Sequence, residues 1–158
     1  MRHVELLAKL ALTLSIAGGL IYLYYAWPSD FPGCASTKVT DAQKLAIAEL
    51  TDIVKWIFGL SVGMIGLYGS IMLRMKDGPS LTRGGKMLVM TSIVCFSFAA
   101  YFAVIWRRLL SQALYVDCPS LIAQPWMARS FDAQTYFFVA GIAVIGFMVA
   151  LVALDGND

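Results

Sequence analysis

Long apolar blocks alternate with short polar segments along the chain. The apolar blocks run from Glu5 to Trp27, Ile53 to Leu73, Met87 to Trp106 and Thr135 to Leu154. Each holds about 20 residues, the number that a helix needs to cross a hydrocarbon layer about 30 Å thick. Continuous apolar runs do not show the alternation of a barrel wall, and a helix satisfies every backbone amide within its own segment. The pattern predicts an all-α integral membrane protein with four transmembrane helices in an antiparallel bundle.

Polar residues and prolines set the predicted helix limits. These are about 5–27, 41–74, 86–115 and 133–154, within a single membrane domain that covers 1–158. Thr40 or Asp41 can cap the second helix, and Pro119 ends the third because proline cannot continue a helix. Both helices are longer than a bilayer requires. We therefore expect helices two and three to extend beyond the outer membrane surface.

The first apolar block differs from a cleaved secretory signal. No small-residue cleavage motif follows it, and the block ends in aromatic residues, namely Tyr22, Tyr24, Tyr25 and Trp27. Aromatic side chains at this position are typical of the interface between membrane and water. The pattern predicts that this segment is a permanent helix.

Composition agrees with a membrane location. Hydrophobic residues make up 59% of the chain and charged residues 14%, whereas soluble domains have roughly 45–50% and about 25%. The formal net charge is +2, too small to indicate nucleic acid as a partner. The partner that composition does indicate is the lipid bilayer.

The basic residues predict the orientation of the bundle. Lys and Arg are equally numerous on its two sides, but one short turn between helices two and three concentrates Arg74, Lys76, Arg83 and Lys86. Dense positive charge close to membrane spans is typical of the cytoplasmic side. We expect both termini in the cytoplasm, in a multi-pass protein of the plasma membrane or the bacterial inner membrane.

Two cysteines fall in the loops on the opposite side. Cys34 follows Pro32-Gly33, and Cys118 precedes Pro119. Cysteines on a non-cytoplasmic side are exposed to oxidation, so a structural disulfide between Cys34 and Cys118 is the leading interpretation. Unpaired thiols and a thiol-disulfide oxidoreductase are the alternatives, although the reactive Cys-x-x-Cys of such enzymes does not occur here. Cys95 lies in mid-span, where a small packing residue is expected.

Small residues recur at helical spacing within the spans. One set is Gly59, Gly63, Gly66 and Ser70, a second is Ala143, Gly146 and Ala150, and a third is Ser92, Cys95, Ala99 and Ala103. Such faces allow helices to approach closely in lipid, where no hydrophobic effect drives them together. The faces either pack within one monomer or bind a second membrane subunit. The set from Gly59 to Ser70 is the first candidate for an external interface.

Charged residues are confined to the ends of the spans. Ion-coupled transport and voltage sensing place ionisable groups at depth, so the sequence argues against both. Near one end, Asp52, Lys55, Arg107 and Arg108 form candidate ion pairs, Asp52 with Lys55 or with Arg108, or a site for a lipid headgroup. The single histidine and three separated cysteines do not have metal-ligand spacing. We therefore predict no metal, no cofactor and no catalytic residue.

The layout of four helices with cysteines in the outer loops resembles tetraspan membrane proteins in general. The Trp…Gly-Leu-Trp…Cys…Cys signature of claudin-like proteins does not occur in Pro28–Glu49. Our leading hypothesis is a non-catalytic assembly or accessory subunit that associates with itself or with other membrane subunits. A homo-oligomeric channel lined by Ser61, Ser70, Thr91, Ser92 or Ser97 is the second hypothesis, and thiol-disulfide exchange is the third.

Overall fold

Four long helices make up the described part of the chain. The computed structural model describes residues 2–26, 40–74, 83–115 and 125–155. Helix α1 spans Arg2–Ala26, α2 spans Asp41–Arg74, α3 spans Arg83–Tyr115 and α4 spans Pro125–Asp155. All four are long and apolar enough to cross a membrane. The described part of the chain is therefore all-helical, and its four apolar helices could each cross a membrane, which indicates a multi-pass membrane protein as the hydropathy pattern predicted.

Helix α4 begins earlier than its apolar pattern suggests. The sequence predicted a start near residue 133, and the structure places it at Pro125. Proline is favoured at the first helical position because its missing N–H is not needed there. The early turns carry Trp126 and Met127, which are buried against α3. Tertiary packing therefore extends this helix past the residues that the bilayer alone would require.

A reciprocal cap fixes the start of α2. The backbone N–H of Thr40 donates to Gln43 Oε1 at 2.9 Å, and the backbone N–H of Gln43 donates to Thr40 Oγ1 at 3.3 Å. This capping box satisfies two donors that the first turn of a helix leaves unpaired. Of the two residues predicted as caps, Thr40 has that role.

Helix α3 is the centre of the bundle. It packs against each of the other helices, most extensively α4, whereas α1 and α2 touch only marginally. Ser15, Gly19 and Tyr22 of α1 meet α3 in parallel order. Helix α2 runs antiparallel to α3, because Tyr68 shares one apolar cluster with Val89 and Val54 shares another with Ala103. Helix α4 is also antiparallel to α3, because its early residue Trp126 belongs to the Ala103 cluster and its later residue Ile145 packs against the Val89 cluster.

Three apolar clusters hold the helices together. The middle cluster is an aromatic group around Phe102, which is fully buried. Its ring centroid lies 6.0 Å from that of Phe137, 6.4 Å from that of Tyr22 and 6.5 Å from that of Phe98. Rings at this separation add about 0.5–1.5 kcal/mol per pair beyond the area that they bury. This cluster joins α1, α3 and α4.

An ionic contact joins α1 to α3 near the first residues of both helices. Glu5 accepts from Lys9 Nζ at 3.0 Å on its own helix and lies 3.6 Å from Arg83 Nε on α3. Since α1 and α3 run parallel, both of these residues lie near the start of their helices. The contact joins the two helices at the end of the bundle where the basic turn was predicted.

Candidate functional site

The small-residue face of α2 lies on the outside of the bundle. Gly59, Gly63, Gly66 and Ser70 are all exposed. A Cβ atom built on any of the three glycines would have no neighbouring atom within 4 Å. These four residues, named here the α2 small face, are not covered by any described part of the chain.

The buried side of α2 is directly opposite this face. Val54 and Ser61 are 0% exposed and Tyr68 is 5% exposed, and these three residues recur every seven positions. Successive helical residues are about 100° apart, so Gly63 lies about 200° around the helix from Ser61. The α2 small face therefore points straight away from α3.

Helix α4 presents a second outward small face. Ala143, Gly146 and Ala150 are exposed, and nothing lies within 4 Å of a Cβ built on Gly146. The buried side of α4 is marked by Gln134, nine residues before Ala143 and thus about 180° around the helix. The second face, like the first, is not covered by any described part of the chain.

The third small face has the opposite position. Ser92, Cys95, Ala99 and Ala103 of α3 are all buried and lie against neighbouring helices. Similar spacings in sequence therefore have two different uses in this molecule. One set brings the helices of the monomer together, and two sets remain on its surface.

Apolar side chains border the α2 small face. Leu60 is 52% exposed on one flank, Leu67 is 53% exposed beside it, and Val62 is 48% exposed on the other flank. Ridges of this kind beside a strip of glycines leave a shallow groove in which the backbone is accessible. The hydroxyl of Ser70 donates to Gly66 O at 2.8 Å, so the strip offers no free donor. Its chemistry suits van der Waals contact with another helix.

A charged pair continues the same face towards the start of α2. Asp52 lies seven residues before Gly59, hence almost in line with it. Lys55 Nζ donates to Asp52 Oδ1 at 2.8 Å, and both side chains are more than half exposed. The α2 small face therefore ends in one acidic and one basic group.

The two arginines predicted beside this pair lie on α3. Arg107 and Arg108 are exposed, and neither makes a hydrogen bond or ion pair with any residue that the structure describes. Adjacent helical residues differ by about 100°, so the two guanidinium groups point to different faces. The alternative pair of Asp52 with Arg108 is not formed.

The hydroxyl groups considered for a channel lining do not share a surface. Ser61, Thr91 and Ser92 are buried inside the monomer, whereas Ser70 and Ser97 are exposed on different helices. Thr91, Ser92 and Ser97 each donate to a backbone carbonyl of their own helix, four residues earlier. In this geometry the five residues do not form one polar path.

The thiols and candidate ligands offer little chemistry in the described part of the chain. Cys34 and Cys118 lie outside the described residues. Cys95 is buried, and its thiol donates to Ser15 Oγ at 3.4 Å, which joins α1 to α3. Among the described residues, no group of three His, Cys, Asp or Glu side chains could hold a metal ion.

The sequence pattern did not indicate one buried polar residue, Gln134. Gln134 of α4 is 0% exposed, and neither polar atom of its amide has a hydrogen-bond partner among the described residues. Ser61 Oγ of α2 is in the same condition. Gln134 precedes the last apolar block, so its sequence position suggested a membrane edge. Its place at i+7 from Met127 on a buried helical face was the available signal.

Comparison with known proteins does not assign this chain to a family. No protein-family model, no curated protein and no solved structure matches it.

Proposed function

We propose that the protein is a non-catalytic, membrane-embedded assembly or accessory subunit that associates through its outward small faces. The observation that carries the proposal is the exposure of Gly59, Gly63 and Gly66, opposite the buried side of α2. In lipid, glycine gives a helix no advantage unless another helix approaches it closely. Two such faces on one small bundle favour association with other membrane helices over a monomeric state.

A second copy of this chain is the occupant that we propose for the α2 small face. In a two-fold dimer with its axis along the membrane normal, each helix meets its own counterpart at equal depth. Asp52 of one copy then lies within one turn of the partner's Lys55, and the reciprocal pair forms on the other side. Apolar contact and charge complementarity therefore favour the same arrangement. Other subunits of a larger membrane complex are the alternative occupants.

The orientation of the bundle belongs to the same proposal. We place both termini in the cytoplasm. Arg83 and Lys86 lie at the start of α3, on the side of the bundle where α1 also begins and α4 ends, and positive charge beside membrane spans favours the cytoplasmic side. Helices α2 and α3 then extend beyond the outer surface of a plasma membrane or a bacterial inner membrane. Their 34 and 33 residues correspond to about 51 and about 50 Å, against about 30 Å of hydrocarbon.

The decisive experiment measures mass in mild detergent and in nanodiscs for the natural chain and two leucine variants. Gly63→Leu places a bulky side chain in the centre of the α2 small face. Gly69→Leu is the matched control, because Gly69 has the same open space at Cβ but lies about 120° around the helix. We expect Gly63→Leu to weaken dimerisation by about tenfold or more, equivalent to about 1.4 kcal/mol, and Gly69→Leu to leave it unchanged.

Cross-linking in native membranes provides the second readout. After the membranes are treated with an added thiol oxidant, Ser70→Cys on the α2 small face should give a disulfide-linked dimer, whereas Ser97→Cys on α3 should give no more than the natural chain. A product linked to a different protein would identify a larger complex as the occupant. A strict monomer with no cross-linked partner would refute the proposal.

A further inference from the structure

An apolar groove runs between α1 and α3 on the membrane-facing surface. Its volume is about 490 Å³, within the roughly 300–1,000 Å³ typical of ligand sites. It is lined by Ile16, Leu23, Val94, Ser97, Phe98 and Tyr101. The groove lies apart from both outward small faces.

The packing of α1 explains why the groove exists. Gly19 has no side chain, and a Cβ there would overlap the ring of Phe98, so the α1 backbone rests directly on that ring. Tyr22 reaches further round α3 to meet Phe102. Since α2 barely touches α1, a strip of α3 between these two helices is not covered by any residue that the structure describes. The groove is the α1 side of that strip.

The uncovered strip of α3 changes character along its length. Ser97, Tyr101, Val104 and Arg108 are exposed and follow one another at spacings of three or four residues, so they share one face. Below Tyr101 the strip borders the apolar groove. Beyond it lies Arg108, which has no ion pair among the described residues. A bound molecule along this face would thus be apolar at one end and anionic at the other.

The dimensions of the strip match one leaflet of a bilayer. Val94 and Arg108 are fourteen residues apart, which corresponds to about 21 Å at 1.5 Å per residue. Half of a bilayer with its headgroups measures about 20–22 Å. An acyl chain beside Val94 therefore places its own headgroup level with the guanidinium of Arg108.

We propose that this face binds one anionic glycerophospholipid, with an acyl chain in the groove and its phosphate at Arg108. A guanidinium donates two parallel hydrogen bonds to a phosphate, a geometry that an isolated positive charge does not provide. The site uses neither outward small face, so it does not depend on self-association.

The test titrates the purified protein in detergent with two lipids and counts bound molecules by native mass spectrometry. Palmitoyl-oleoyl phosphatidylglycerol is the probe, and the diacylglycerol with the same two chains lacks only the phosphate headgroup. We expect the natural chain to bind phosphatidylglycerol about fivefold or more tightly than the diacylglycerol. Equal binding of the two lipids would overturn the proposal.

Two arginine variants test the headgroup contact. Arg108→Gln should weaken phosphatidylglycerol binding about fivefold, to the level of the diacylglycerol, and leave the diacylglycerol unaffected. Arg107→Gln removes the same charge at nearly the same depth but on a different face, so it should cause less than about a twofold change. Equal losses in the two variants would show that only surface charge matters, which contradicts a defined site.

Two tryptophan variants test the groove. Ser97→Trp fills it from an exposed position and should abolish binding of both lipids. Leu14→Trp adds the same ring to α1 at a residue that is 62% exposed and outside the groove lining, so it should bind both lipids normally. Circular dichroism checks that both variants fold. If Ser97→Trp does not fold, the comparison of lipid binding by Arg108→Gln and Arg107→Gln tests the site instead. Full lipid binding by a folded Ser97→Trp would overturn the proposal.

Discussion

Helices α2 and α3 are almost equal in length but differ in their surroundings. They have 34 and 33 residues. Half of the most apolar stretch of α3 is buried inside the bundle, against 11% of that of α2. Both helices carry small residues at helical spacing, yet those of α3 face its neighbours and those of α2 face outward. Because lipid is as apolar as a protein core, hydropathy does not distinguish these two environments.

The largest expected effect separates the core of α3 from the surface of α2. Phe102→Ala removes a fully buried ring that contacts four other rings, and should lower the free energy of unfolding by about 3–5 kcal/mol. Phe58→Ala on α2 removes a ring that is 37% exposed, and should cost much less. Unfolding in mixed detergent micelles, followed by circular dichroism, measures both. Equal losses would mean that α2 is packed as tightly as α3.

A second pair of variants compares a glycine buried between helices, Gly141, with an exposed glycine, Gly63. Gly141→Ala would bring a Cβ to 2.9 Å from the ring of Phe96, so we expect a loss of about 1–3 kcal/mol. Gly63→Ala meets no atom within 4 Å, and its better helix propensity should leave monomer stability unchanged or up to about 1 kcal/mol higher. The same unfolding assay applies to both variants. A destabilised Gly63→Ala monomer would show that the α2 small face is used internally.

The buried amide of α4 gives a prediction of opposite sign. Gln134→Leu replaces an unpaired polar group by an apolar one of similar size and should raise the free energy of unfolding by about 1–2 kcal/mol. Gln134→Glu should lower it, because a charge would then be buried in the same place. Loss of stability in the leucine variant would show that the amide of Gln134 has a hydrogen-bond partner in the folded protein.

The smallest effect concerns the start of α2. Thr40→Ala breaks the capping box with Gln43 and should cost about 1 kcal/mol locally. Because this end of α2 is mostly exposed, faster amide hydrogen exchange should appear in the first turns alone. Exchange that also increases in α3 would contradict the peripheral position of α2.

The sequence predicted the number and type of the helices because a bilayer demands about 20 apolar residues per span. It also indicated Thr40 as a cap and the spacing of the small faces. It did not predict the start of α4 at Pro125, since packing of Trp126 against α3 sets that limit. Nor could it assign an outward or inward direction to Gly63, because direction depends on which helices become neighbours.

The central position of α3 also has a consequence for the order of synthesis. Ribosomes add about 5–20 residues per second, so the stretch from Arg74, the last residue of α2, to Tyr115 takes about 2–8 seconds. During that time α1 and α2 have been made but can pack only marginally against each other, because the main partner of each is α3. Until α3 is made, the two helices have little surface to bury against each other. An exposed face that attracts neighbours would be most vulnerable to incorrect pairing during this interval.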